Sequence, residues 1–245
     1  MLIGLHAEQV MAASWCAPAR PPNINIHPVT DQISYDFSLS EKQLNGFRVD
    51  TVNPYAGNVI TDVGGLMKGG IETQQKMTFG TMTNRNTGQI CYWFDNINVD
   101  IRITHTVYVA RDFPKGSCMH NAILNHEHKH VIVDREIVNK YGALMGQEIS
   151  RELMQRRIYG PVSLSQESQM AAQMKNRMAQ IMNAVNAQMS AERKARQQKI
   201  DSLDEYETIN TKKLGRKGPG RRAEDRFLMV EKSKVNAALT YLSEV

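Results

Sequence analysis

The chain has 245 residues, with 30 Lys+Arg against 25 Asp+Glu, 41% hydrophobic and 7% aromatic residues. That length and hydrophobic share support one large packed domain or two small ones, and exclude a disordered chain or a coiled-coil rod. No run approaches the roughly 20 apolar residues needed to cross a bilayer.

The formal charge of +5 is uneven: residues 1–160 hold 15 basic and 15 acidic side chains, residues 161–245 hold 15 and 10. Lys212, Lys213, Arg216, Lys217, Arg221, Arg222 and Arg226 against Glu224 and Asp225 account for all of it, 7 − 2 = 5. No aromatic residue is interleaved among these charges, so the segment reads as a solvated linker rather than a nucleic-acid surface.

Residues 1–28 read as a leader and extended segment. The first 16 residues have an apolar start and small residues at Ala12–Ser14, but no basic n-region, and the apolar run is short for a signal peptide. Ala17–Pro28 is rich in Pro and Asn. The three cysteines, Cys16, Cys91 and Cys118, show no CxxC spacing and fit neither a zinc knuckle nor a disulfide scaffold. In an oxidising compartment Cys91 and Cys118, which flank one strand-rich stretch, are the pair expected to bridge; in the cytosol both are buried thiols.

Residues 29–160 form the expected α+β domain. Ile33–Phe37 and Ile97–Thr104 alternate apolar and polar residues, as strands do, and Ile103–Ala110 continues as a strand. Asn53-Pro54, Gly64-Gly65 and Asn84–Gly88 supply turns, and Asp112–Gly116 breaks the last strand. From about Met119 the period becomes helical, with Gly142 and Gly146 as candidate breaks and Gly160-Pro161 as the end. A long amphipathic helix is expected within 161–210, its stripe of Met170, Met174, Met178, Ile181, Met182 and Val185 packing on the domain or on a partner helix. A basic linker at 211–225 and a closing helix at 226–245 complete the chain.

The chemistry lies in His126-Glu127-His128-Lys129-His130. Two histidines four apart on a helix share a face and can reach one metal, leaving the carboxylate beside the first to act on water. At about 100° per residue, with Glu127 at zero, His126 falls at about −100°, His130 at about −60° and Asp134 at about −20°, inside the sector of Ile123, Leu124, Val131, Ile137, Val138 and Tyr141. His128 and Lys129 fall at its edge or outside. A chance HExxH on a solvated helix would not place four ionisable groups on the buried stripe, where they are costly unless they bind something.

Val107–Glu152 resembles the active-site region of the zincin metallopeptidases, in which a strand leads into a helix bearing HExxH. His126–Asp134 is similar to the thermolysin-type helix, including an acid four residues past the second histidine. More loosely, the chain resembles uncharacterised bacterial families of predicted secreted zinc proteases. These also have a strand-rich N-terminal part, a central HExxH and a Gln/Asp-bearing helix near the end (compare Gln197-Gln198-Lys199-Ile200-Asp201). The resemblance implies that His126 and His130 bind zinc and that Glu127 is the general base. It also implies a substrate peptide pairing along the edge strand Ile101–Ala110.

The third ligand expected from gluzincins is a glutamate on a following helix, Glu148 ahead of Glu152. In a straight helix Glu148 lies roughly 27 Å beyond His130, so this assignment needs the chain to turn at Lys140–Gly142. Asp134 is the alternative, as a ligand or as the residue orienting His130; His120 and His105 are weaker options. Tyr141 and Tyr159 are candidate oxyanion donors.

The expected function is thus a periplasmic or secreted zinc peptidase acting on peptide or protein substrates, with a cytoplasmic location as the alternative. The competing expectation is a catalytically silent zincin-like protein that binds or assembles through the 163–207 helix and the basic tail.

Overall fold

The computed structural model describes residues 15–18, 20–47 and 62–205, with the backbone of Phe227–Leu228 and Lys232–Ser233. Its frame is a hairpin of two long strands, β4 (Gly65–Asn84) and β5 (Gln89–Val109), paired antiparallel from Gly65↔Val109 to Asn84↔Gln89 with one register shift at Thr78/Phe79. The predicted turn at Asn84–Gly88 closes it. Asn84 Oδ1 accepts from the backbone of Asn86 and Thr87, and Gly88 adopts φ 66°, a conformation that disfavours other residues.

On the far side of β5 lie two parallel strands, β1 (Asn23–Thr30) and β2 (Ser34–Asp36). Ile101–Ala110 is therefore not an edge. Residues 101–109 pair with β4 on one side, and those from 101 to 103 and from 106 to 108 pair with β1 and β2 on the other. The expected substrate-pairing strand is interior. A short helix, α1 (Glu41–Asn45), and strand β3 (Asp62–Val63) precede the hairpin. Gly65 is part of strand β4 rather than a turn; Asn53-Pro54 lies outside the described residues.

One face of the sheet carries the core. Ile97, Val99, Ile101, Ile103, Val107 and Val109 alternate inward along β5, and His105 is the polar residue in that row. Against it packs α2 (Cys118–Gln155), 38 residues without a break, started by Ser117, whose side chain accepts from the His120 backbone. Gly142 and Gly146 are not breaks. A Cβ on Gly142 would meet Pro28 at 3.1 Å and one on Gly146 would meet Ile26 at 3.4 Å, so these glycines let β1 lie close to the helix.

Gly160-Pro161 is a cis bond within strand β6 (Tyr159–Ser163), which pairs with the start of β5. The second helix, α3 (Glu167–Ile200), then runs back antiparallel to α2. Its Met174, Met178, Met182, Val185 and Met189 enter the same core as Val138, Tyr141, Met145, Ile149 and Leu153 of α2. The methionine stripe is thus covered by the chain's own helix and sheet. The 211–225 linker lies outside the described residues. Within 226–245 the described residues are not helical: β7 (Phe227–Leu228) pairs with β3 and β8 (Lys232–Ser233) pairs with Lys68–Gly69 of β4. The architecture is α+β, and no helix among the described residues is long and apolar enough to cross a membrane.

Cys91 bridges to Cys16, not to Cys118, which is a free, exposed thiol. The bond ties the segment before β1 to the start of β5 across 75 residues, so it removes considerable loop freedom from the unfolded chain. Cys16→Ser is expected to lower unfolding stability by about 4 kcal/mol, read as an earlier denaturant midpoint that reductant also produces in the wild type.

Candidate metal centre

Three side chains converge where α2 meets the end of α3. His126 Nε2 and His130 Nε2 lie 3.3 Å apart, and Asp201 Oδ1, one residue past α3, lies 3.2 Å from each. Their relative exposures are 1%, 0% and 1%. This buried His/His/Asp group can hold a metal ion. His126 and His130 of the expected set stand in this group, and the carboxylate beside them is Asp201 rather than Glu148. Because α2 is one unbroken helix, Glu148 sits far along it and pairs with Arg151 at 2.6 Å. Glu152 is equally remote and accepts from Arg177.

The antiparallel helices explain how Asp201 arrives. His126, His130 and Asp134 step by four residues down α2; Asp201, Gln197 and Arg193 step by four up α3. They meet as three rungs: His126–Asp201, His130–Gln197 at 2.6 Å, and Asp134–Arg193 at 2.6 and 2.7 Å. Asp134 lies outside the His126, His130 and Asp201 group. One of its oxygens accepts from Arg193 Nε and Gln197 Nε2, the other from Arg193 and from His105 Nε2 at 3.1 Å. It reaches His130 through Gln197, whereas the sequence expectation had it orient His130 directly.

Burial alone would raise the pKa of Asp134, but the hydrogen bonds of His105 and Arg193 outweigh it and hold the carboxyl below its ordinary range. Asp201 is likewise held low: burial pushes it up, and the imidazoles of His126 and His130 beside it win. His126 moves the other way, to about 4, because burial outweighs the attraction of Asp201. It is therefore neutral at pH 7, and its contact with Asp201 is not an ion pair. Neutral imidazoles and an ionised carboxylate are the forms that ligate.

Glu127 is fully buried on the same turn of α2, its carboxylate against β4. A Cβ on Gly65 would collide with Ile123 and come within 2.9 Å of Glu127 Oε1; one on Gly69 would come within 3.1 Å of Asp134 Oδ2. The two glycines leave room for these acids on the inward face of the strand. Asp134 and Asp201, both held ionised, lie with the buried carboxyl of Glu127 and the guanidinium of Arg193 in this one cluster.

The other candidates lie elsewhere. His120 bonds the Phe113 carbonyl, and His128 is half-buried against Tyr35. Tyr141 donates to Glu192, and Tyr159 packs on Phe94 in the main core, so neither meets the metal group. No protein-family model, curated protein or solved structure matches this chain.

Proposed function

We propose that the protein is a metal-dependent hydrolase. Within that class, the reading best supported is a zinc peptidase of the zincin type, exported to an oxidising compartment such as the periplasm. The carrying observation is the donor triangle beside a buried glutamate. Zinc bound at about 2.0–2.2 Å with tetrahedral angles has ligand atoms roughly 3.3–3.6 Å apart, and the three donors here, separated by 3.2, 3.2 and 3.3 Å, lie close to the short end of that range. Three protein donors leave a fourth position, the pattern of catalytic rather than structural zinc. The Cys16–Cys91 disulfide supports the compartment.

A bound zinc would supply Lewis acidity, lowering the pKa of water to about 7 and polarising a carbonyl. His126, His130 and Asp201 would hold it, and Glu127 would take a proton from water and return it to the leaving amine. The interior placement of Ile101–Ala110 means that the substrate pairs elsewhere. One observation favours the silent metal-binding reading: all three donors and Glu127 are at most 1% exposed, so a substrate needs an opening.

Glu127→Gln separates the two readings. It is expected to keep stoichiometric zinc while peptide or casein hydrolysis falls roughly 10²–10⁴-fold. Zinc-loaded wild type that cleaves no peptide would establish the silent reading instead.

A further inference from the structure

We propose that Gln197 is a positioning residue that locks His130 in the one tautomer able to bind metal; this rests on the metal-centre reading above. The amide has a single sensible orientation. Gln197 Nε2 lies 2.6 Å from Asp134 Oδ1 and 3.1 Å from the His130 carbonyl oxygen. One is a carboxylate kept ionised by Arg193 and the other a carbonyl, so both only accept, and the amide nitrogen must face them. Gln197 Oε1 is thereby turned to His130 Nδ1 at 2.6 Å. An amide oxygen cannot donate, so His130 carries its proton on Nδ1. In the neutral form that ligates metal this is the only ring proton, so the lone pair lies on Nε2, the atom facing Asp201 and His126.

The rest of the buried cluster acts through this clamp. Arg193 and His105 occupy the oxygens of Asp134, which keeps Asp134 out of the metal group and fixes it as the acceptor that orients the amide. A chain of hydrogen bonds, His105–Asp134–Gln197–His130, thus runs from β5 through both helices to a ligand. All four residues are buried. Without the clamp, His130 is free to take the Nε2–H form, which places a proton where the metal must sit. Partners of ligating histidines typically contribute 10–100-fold to metal affinity.

Two measurements test this. In metal-free wild type, long-range 1H–15N correlation spectra should place the His130 proton on Nδ1. In Gln197→Met, which keeps the volume and removes both hydrogen-bonding ends, the Nε2–H form should appear and zinc affinity should fall roughly 10–100-fold in chelator competition. A wild type whose His130 carries no proton on Nδ1 overturns the clamp, as does a folded Gln197→Met with unchanged zinc affinity. A wild type that takes up no zinc overturns the metal-centre reading, and the tautomer spectrum of that same sample still decides the clamp. Since that spectrum needs only wild-type protein, a variant that fails to fold does not remove the test.

Discussion

Asp201→Asn is expected to weaken zinc binding by roughly 100-fold or more, beyond the 10–100-fold typical of residues that merely support a ligand. Asparagine keeps the size and an oxygen in place, so folding is retained while the one anionic donor becomes neutral. The substitution removes the negative charge that Asp201 holds inside the protein, so a divalent ion there loses its anionic donor. Chelator competition and zinc content after dialysis measure the effect. Glu148→Gln, remote on the same unbroken helix as the two histidines and paired with Arg151, should bind zinc as the wild type does. Equal losses in both variants would overturn the assignment of Asp201 as the anionic donor.

What the sequence revealed and what it hid follow from range. His126, Glu127, His130 and Asp134 were legible because a four-residue step on one helix is local geometry, and their shared burial follows directly from the periodicity. The strand row through Ile97, Val99, Ile101 and Ile103 was legible for the same reason. Asp201 was not, because it stands 75 residues from His126, and its arrival depends on α2 staying unbroken and α3 reversing beside it. Glycine as a helix breaker misled at Gly142 and Gly146, where close packing on β1 decides instead. The Cys16–Cys91 bridge depends on where the chain before β1 runs, which no local pattern encodes.

A usable signal was nevertheless present on α3. The buried positions Met174, Met178, Met182, Val185 and Met189 continue with Arg193 and Gln197, so an apolar stripe turns polar without leaving its face. The test that singled out His126, His130 and Asp134 on α2 applies here unchanged. Placing the two polar stretches opposite each other in an antiparallel pair yields the three rungs. His105 is the matching signal on β5, a polar residue in an inward apolar row.

Arg193→Leu should be among the most destabilising single changes in the protein, by about 3–5 kcal/mol, because it leaves Asp134 charged, buried and without its main partner. Denaturant unfolding of metal-free protein reads this without interference from bound zinc. The loss has a defined pH dependence. Asp134 has a lowered pKa in the fold, so its pairing contributes stability above the unfolded carboxylate pKa of about 3.9, and that stability fades as the pH falls through the folded value. The gap between wild type and variant should therefore narrow in acid. The double variant Asp134→Leu with Arg193→Leu should regain most of the stability, since a buried pair is often matched by apolar residues of similar volume. Zinc affinity should not recover with it, because the double variant removes one of the two acceptors that orient the Gln197 amide. A double variant that is stable yet weak in zinc would show that the buried pair is kept for the metal centre rather than for the fold. One that recovers both would assign the pair to folding alone.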